Sequence, residues 1–332
     1  MHNLEMRGNG VAGFIEVPEP IPGPGEVVVK TAASAICGSE MGPYRTTGKP
    51  GGNSGHEAAG IVAALGTGDI SLKIGQRVGV SAVAGCGNAG CPQCAAGRYT
   101  WCENRKGYSN MHAEKFLIAA NACHALPDDL PWDAAVLICG DGLGVPYHTS
   151  TKIPADARTI AVFGAGPIGL GNILMQRYLG RTLIAVDKSA FRLNQAKRLG
   201  AEYVMNPDEC DVIQEVKKIT GGGADVCIEA AGRPETAFNC FAAVRTGGTV
   251  IFNGEQPAIP LSPSEHFIRR DITAVGAWFY HFCEYDQMLE LWRKGLKMTD
   301  LISDHRKYAD APQAFKDFSA GKTAKVILEY EE

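Results

Sequence analysis

The sequence predicts an α/β protein, with a doubly wound parallel sheet joined to a second domain rich in short strands. Two observations predict the sheet. From about residue 149, apolar β-branched runs alternate with segments whose apolar residues recur at helical spacing. The first of these runs, Thr159-Ile-Ala-Val-Phe, feeds directly into Gly164-Ala-Gly166-Pro167-Ile168-Gly169, a Gly-x-Gly-x-x-Gly turn. A third observation predicts the β-rich domain: before residue 149, short strand-like runs are separated by Gly-containing turns.

Residues 1 to about 30 carry Pro18, Pro20, Pro22 and Pro24 ahead of Val27, and read as an extended segment turning into a strand. The small apolar run 27–36 delivers Cys37-Gly-Ser39-Glu40 to a loop, and 60–66 and 75–81 are further short strands. Past Gly169, 173–179 is helix-compatible and 182–186 is the second strand of the sheet. Ser189 opens a helix with Phe191, Leu193, Ala196 and Leu199 inward, and Gly200 suits its C-cap. A strand at 203–205 follows, then a helix over 208–219 closed by Gly221-Gly-Gly. The fourth strand is 225–229, the next helix 234–244, and the fifth and sixth strands 248–253 and 272–277. The tail reads helix (285–296), helix (311–319) and strand (325–328), and returns to the first domain.

The glycine turn marks a dinucleotide-binding unit. Gly164 permits the tight turn, Gly166 lets the backbone approach a pyrophosphate, and Gly169 lets helix and strand pack closely. The helix N-terminus offers unpaired N–H groups to the phosphates. Asp187 ends the second strand, where it accepts from a ribose 2′-hydroxyl and repels a 2′-phosphate; Lys188 and Arg192 are nearby cations. NAD is therefore expected over NADP. In a doubly wound sheet ligands lie across the C-terminal strand ends, which also brings Ala231, Gly232 and Asn253 to the cofactor.

At 332 residues the chain is long enough for two domains with cores. A net charge of −4 gives no case for nucleic acid or an anionic membrane. No apolar run approaches the roughly 20 residues that span a bilayer, and the N-terminus lacks the apolar core of a signal peptide; a cytoplasmic protein is expected. Four of the eleven cysteines, Cys86, Cys91, Cys94 and Cys102, form a C-x4-C-x2-C-x7-C cluster, the donor set of a closed tetrahedral zinc that stabilises folding. Cys37 and His56 are donors of the kind a catalytic zinc takes, and candidates for a third lie in Cys139-Gly-Asp141. Cys123, Cys210, Cys227, Cys240 and Cys283 read as small core residues. Trp278-Phe-Tyr-His-Phe282 could line a pocket or a subunit contact, although an aromatic cluster is more often core or interface than a specificity element, and Tyr44, Arg45 and His148 could meet a polar substrate.

Taken together, Cys37-Gly-Ser39, Gly55-His56-Glu57, the four-cysteine lobe, Gly75-Gln-Arg77-Val and Gly164-x-Gly-x-x-Gly with Asp187 occur in an order that resembles the zinc-dependent medium-chain dehydrogenases, which include alcohol, sorbitol and threonine dehydrogenases. The resemblance runs over essentially the whole chain. It implies a GroES-like catalytic domain, made by both termini, around an inserted Rossmann domain: 1–148 for the catalytic domain with its zinc lobe, 149–284 for NAD binding and 285–332 for the return. It implies hydride transfer between NAD and a polyol, sugar-derived or secondary alcohol, with the ketone as substrate in reverse, in a homodimer or homotetramer. Cys37 and His56 match the first two catalytic zinc ligands, and Asp141 is favoured over Cys139 as the third. Glu57 matches an acid that can enter the zinc's coordination sphere, and Ser39 matches the hydroxyl that starts a proton relay. Departures are Gly42, where many members carry histidine, Glu40, where Asp is usual, and a gap before Cys91 two residues longer than usual. Two other readings stay open. One is a reductase of an activated carbonyl or conjugated double bond, motivated by Gly42. The other is a non-catalytic nucleotide- or zinc-binding protein.

Overall fold

Leu4 and Met6 alternate with the outward-facing Glu5 and Arg7, and this period-two pattern makes β1 (His2–Gly8), which pairs antiparallel with β2 (Val11–Glu16). The structure, a computed structural model, describes residues 1–256 and 258–331. The N-terminal hairpin is not expected from the sequence, because Val11-Ala-Gly-Phe-Ile-Glu has no clean alternation. The proline-rich stretch then leads into β3 (Glu26–Ile36), followed by α1 (Met41–Arg45), β4 (Ala58–Leu65), β5 (Arg77–Val80) and β6 (Val83–Ala84). Next come α2 (Pro92–Ala95), β7 (Lys106–Gly107), β8 (Lys115–Ala119), β9 (Cys123–Ala125), α3 (Trp132–Cys139) and α4 (Asp141–Ser150).

Two compact units emerge. One comprises Met1–Gly144 with everything from Tyr280 onward, the other Val145–Phe279. In the second unit β10 (Thr159–Phe163), β11 (Thr182–Val186), β12 (Tyr203–Met205), β13 (Ala224–Glu229), β14 (Val244–Phe252) and β15 (Thr273–Gly276) form one parallel sheet in the order β12-β11-β10-β13-β14-β15. This is the doubly wound order, reversing beside β10. Helices α5 (Pro167–Tyr178), α6 (Ala190–Arg198), α7 (Val212–Thr220), α8 (Pro234–Ala243) and the short α9 (Pro263–His266) connect the strands. The strands read as apolar runs because helices cover both faces: Phe163, Ile184, Cys227 and Val250 pack with Val216 and Phe241 in one core.

Local chemistry fixes the helix ends. Ser189 caps α6 by accepting from Arg192 N, and Asp211 caps α7 by accepting from Ile213 N and Gln214 N. Asp211 is also why α7 starts later than the pattern suggests, while Asn206 holds the preceding turn through Asp208 N. Helix α5 starts earlier than expected, since Pro167 at its first turn needs no N–H partner.

The first unit is completed by α10 (Tyr285–Arg293), β16 (Ile302–Lys307), α11 (Ala311–Ser319) and β17 (Lys325–Glu329). Its sheet runs β16-β17-β3-β4-β5-β9, with β8 also on β3. The C-terminal strand thus returns beside β3, as the sequence suggests, although the polar β16 is not foreseen. Leu4, Met6, Tyr44, Phe315, Val326 and Leu328 form a core on this side. Among the described residues, no helix is long and apolar enough to cross a membrane.

Candidate metal centre and cofactor cradle

Three elements converge on one point in the first unit. The end of β3 delivers Cys37, the loop before β4 delivers His56 and Glu57, and the start of α4 delivers Asp141. One ligand atom from each of Cys37, His56, Glu57 and Asp141 lies within 4.8 Å of the others. The Cys37 thiol donates to Asp141 Oδ2 at 3.2 Å, and His56 Nε2 is 3.0 Å from the same oxygen. His56 Nδ1 lies 2.8 Å from the Ser54 carbonyl, which can only accept; Nδ1 therefore carries a proton, and Nε2 is the nitrogen directed at the cluster.

Gly140 makes this approach possible. A side chain there would meet Val136 O at 2.7 Å and Glu57 Oε2 at 2.8 Å. The neighbouring Cys139 faces the other way, its sulfur packed on Gly79, and burial pushes its thiol far up. Asp141, not Cys139, therefore joins the group.

Electrostatics follow from burial and proximity. Burial raises the Cys37 thiol pKa, and the Asp141 carboxylate raises it further. Burial opposes charge on His56, but hydrogen bonds with Asp141 and Cys37 prevail and lift it well above the ordinary value. Lys325, at the head of β17, closes the set: its Nζ is 2.6 Å from both Glu57 oxygens, and both residues are buried. Burial works to discharge Lys325, yet Glu57, with Cys37 and Asp141 beyond it, holds its pKa above the usual lysine value. Both Glu57 oxygens are thus engaged by Lys325, a partner the sequence announces only as a charge heading an apolar strand.

A thiol, an imidazole and a carboxylate meeting at hydrogen-bond distance are a soft, a borderline and a hard donor, and the set fits zinc. As Cys⁻, neutral His and Asp⁻ it carries two negative charges, which a divalent cation neutralises; Glu57 and Lys325 neutralise each other. Ser39, exposed, donates to Cys37 Sγ at 3.4 Å and stands at the rim.

The cysteine lobe is a second cluster. Cys86, Cys91, Cys94 and Cys102 gather their sulfurs within 4.8 Å, with Cys86–Cys94 at 3.6 Å and Cys91–Cys102 at 3.9 Å. Bonds of about 2.3 Å to a tetrahedral zinc would set sulfurs about 3.8 Å apart, so the fit is close. The two extra residues before Cys91 are taken up by a turn in which Cys91 N donates to Asn88 O. Backbone N–H groups of Cys94 and Gln93 lower the Cys91 thiol to about 7. The lobe is docked by the aromatic run. Phe282 stacks on Tyr99, His281 bonds Thr100 and packs edge-on to Trp101, and Cys283 N donates to Gly97 O. His281 and Phe282 thus pack against the lobe, while the Tyr280 hydroxyl donates to the Cys139 carbonyl.

Other expectations need correction. Tyr44 is a core residue against Phe315, and Arg45 is tied to Ser319 of α11, so neither faces the cluster. Cys210 and Cys283 are exposed rather than core, whereas Cys123, Cys227 and Cys240 are buried.

In the second unit the glycine turn is built for close approach. Gly164 has φ +100, a side chain on Gly169 would meet Gly164 O at 1.8 Å, and Gly166 faces open space at the N-cap of α5. An open cradle at the N-terminus of a 12-residue helix that begins Pro167-Ile168 fits a pyrophosphate. The Asp187 carboxylate accepts from Ala165 N at 2.7 Å and Ser189 N at 2.8 Å, and Arg192 approaches it at 4.0 Å. Ala231 and Gly232 turn their N–H groups inward to the buried Glu229. Asn253 stands at its strand end, but its side chain is engaged by Thr149, Asn172 and the Ala277 carbonyl, which commits that amide to holding the unit together.

Residues 23–128 match the alcohol dehydrogenase GroES-like domain, and 167–294 match the zinc-binding dehydrogenase family. The chain is 32% identical to the L-threonine 3-dehydrogenase of Pyrococcus furiosus, over 96% of this chain and 94% of that protein. It is 29% identical to the probable D-xylulose reductase A of Aspergillus clavatus, over 98% and 96% respectively. Its fold matches that of the alcohol dehydrogenase of Thermus sp. ATN1 over the full length of both chains, with a TM-score of 0.88 at 26% identity. The chain belongs to the zinc-dependent medium-chain dehydrogenases.

Proposed function

We propose that this chain oxidises a secondary alcohol bearing a neighbouring polar group, in the manner of an amino alcohol or polyol, with NAD as hydride acceptor, and reduces the ketone in reverse. The carrying observation is the convergence of Cys37, His56 and Asp141 within 4.8 Å. These three would hold the catalytic zinc, and the four lobe cysteines a structural one. Zinc supplies a Lewis acid that makes an alcohol O–H more acidic, and NAD supplies the acceptor for the hydride.

The protein residues do the rest. His56 is held in one tautomer by Ser54 O, which orients its donor nitrogen. Glu57 and Lys325 form a neutral pair behind the centre, so the ligands' charge is left to balance the metal. Ser39 Oγ takes the substrate's hydroxyl proton; being exposed, it passes that proton to water, and no histidine at the position of Gly42 is required. Gly164 to Gly169 hold the pyrophosphate, and Asp187, flanked by Arg192, takes the adenosine ribose and disfavours a 2′-phosphate. The substrate class rests on relatives named for threonine and xylulose, whose reacting carbons carry adjacent polar groups. Free thiols throughout suit a reducing cytoplasm, and a homodimer or homotetramer is the expected assembly.

The test is a turnover screen. Purified zinc-loaded protein is given NAD⁺ or NADP⁺ with amino alcohols, polyols and simple secondary alcohols, with and without a strong chelator. Chelator-sensitive NAD⁺ reduction confined to substrates with a polar neighbour supports the proposal; turnover insensitive to metal removal, or none in the presence of zinc, contradicts it.

A further inference from the structure

Behind Cys37 lies a second group of buried polar side chains that the reaction does not use. Glu40, His112 and Ser34 are all completely buried. The His112 Nε2 is 3.2 and 3.1 Å from the two Glu40 oxygens, its Nδ1 is 2.9 Å from Ser34 Oγ, and Ser34 Oγ is 3.0 Å from the hydroxyl of Tyr330, just past β17. With a neutral His112 ring, the following arrangement of protons satisfies every contact. Tyr330 O–H donates to Ser34, Ser34 O–H donates to His112 Nδ1, and His112 Nε2–H donates to the Glu40 carboxylate. That carboxylate also accepts from the Cys37 backbone N–H at 2.9 Å. A serine, a histidine and an acid in line suggest a nucleophile, but Ser34 has no solvent access and no substrate could reach it.

The same histidine touches the other ligand loop. A side chain on Gly55 would meet the His112 ring at 2.5 Å, so the ring rests on the backbone just before His56. Asn53 Oδ1 accepts from both Gly55 N and His112 N, and Tyr308 donates to the His112 carbonyl. Phe315 packs edge-on against the ring. His112 is thus wedged between the loop that carries Cys37 and the loop that carries His56.

We propose that Tyr330, Ser34, His112 and Glu40 form one buried positioning chain that fixes the Cys37 and His56 loops relative to each other and sets how firmly the catalytic metal is held. Glu40 clamps the Cys37 amide with His112 as its counterweight, while the His56 ring is oriented by Ser54. Hydrogen bonds that orient a ligand's support carry much of a metal's affinity. The inference rests on the assignment of Cys37, His56 and Asp141 as ligands.

The test follows zinc release from zinc-loaded protein to a chromophoric chelator, with the cysteine lobe as internal control. His112→Phe keeps the ring's shape and removes both nitrogens; Tyr330→Phe removes one hydroxyl at the far end and leaves the core filled. The catalytic zinc should leave about tenfold to a hundredfold faster from His112→Phe, and about threefold to tenfold faster from Tyr330→Phe. Release from the lobe should not change in either. Wild-type protein that takes up only one zinc overturns the ligand assignment and this inference with it. Two zincs with wild-type release rates in Tyr330→Phe, or equal acceleration at both sites, overturn the positioning chain alone.

Discussion

Lys325 Nζ lies 2.6 Å from each oxygen of Glu57, joining the last strand of the chain to the loop that carries His56 across 268 residues of sequence. Neither side chain has appreciable access to solvent. Removing one member leaves a buried charge unmatched, at a cost of about 3–5 kcal/mol, whereas removing both costs much less. Lys325→Met alone should therefore lower the melting temperature steeply, and Lys325→Met with Glu57→Gln should recover much of the loss. A thermal-unfolding double-mutant cycle measures the coupling; additive losses would show that the pair does not act as a unit.

Gly140 is required by space and not by conformation, since its backbone is extended. Gly140→Ala drives a methyl group against Val136 O and Glu57, and overpacking of this kind costs about 1–3 kcal/mol. The expected result is lower stability, with weaker metal retention at the Asp141 centre and an intact cysteine lobe. Metal analysis after brief dialysis against chelator separates the two sites.

His124 supplies a pH dependence away from the metal centre. It is sandwiched between Phe282 and Tyr285, with Nε2 3.2 Å from the Tyr280 hydroxyl, and burial depresses its pKa to about 3. An unfolded histidine titrates near 6.5. Between these values the unfolded chain binds a proton that the folded chain does not, so stability is lost as pH falls below about 6.5, approaching about 1.4 kcal/mol per pH unit. His124→Phe keeps the stack and removes the titration. Urea unfolding from pH 7 to pH 5 should show wild type losing stability faster than the variant; parallel curves would contradict the assignment.

Asp187 should decide the cofactor. Its carboxylate braces Ala165 N and Ser189 N, with Arg192 at 4.0 Å. Asp187→Ser removes the acceptor for the ribose and the repulsion of a 2′-phosphate, and leaves Arg192 to receive one. KM for NAD should rise about tenfold or more, the loss of a charge-assisted hydrogen bond, while that for NADP falls. Steady-state kinetics with both cofactors gives the ratio; an unchanged ratio would remove Asp187 from the ribose site.

Much of this was legible in the sequence because the determinants are local. The glycine turn carries its own geometry, the parallel strands are apolar runs, and thiols, imidazole and carboxylate declare their chemistry wherever the chain places them. Asp141 was open against Cys139, since only the extended Gly140 separates them and packing against Gly79 and Glu57 decides which faces the cluster. Lys325, His112 and Tyr330 carried no signal. Each acts through a partner 72 or more residues away, at a distance set by strand register and not by any motif. The aromatic run 278–282 was ambiguous because aromatic residues suit pockets, interfaces and cores alike; the partners of Phe282 and His281, Tyr99 and Thr100, become visible only in the fold.

The central claim is that Cys37, His56 and Asp141 hold a catalytic zinc distinct from the cysteine lobe. Its most direct test is zinc stoichiometry, by elemental analysis, of wild type and Asp141→Ala purified side by side, with melting curves to confirm folding. The account predicts two zinc ions per wild-type chain and one in the variant, the remaining ion lost when Cys94 is also replaced. Two ions in Asp141→Ala, or one in the wild type that persists when the lobe is intact and Cys37 is changed, would contradict it.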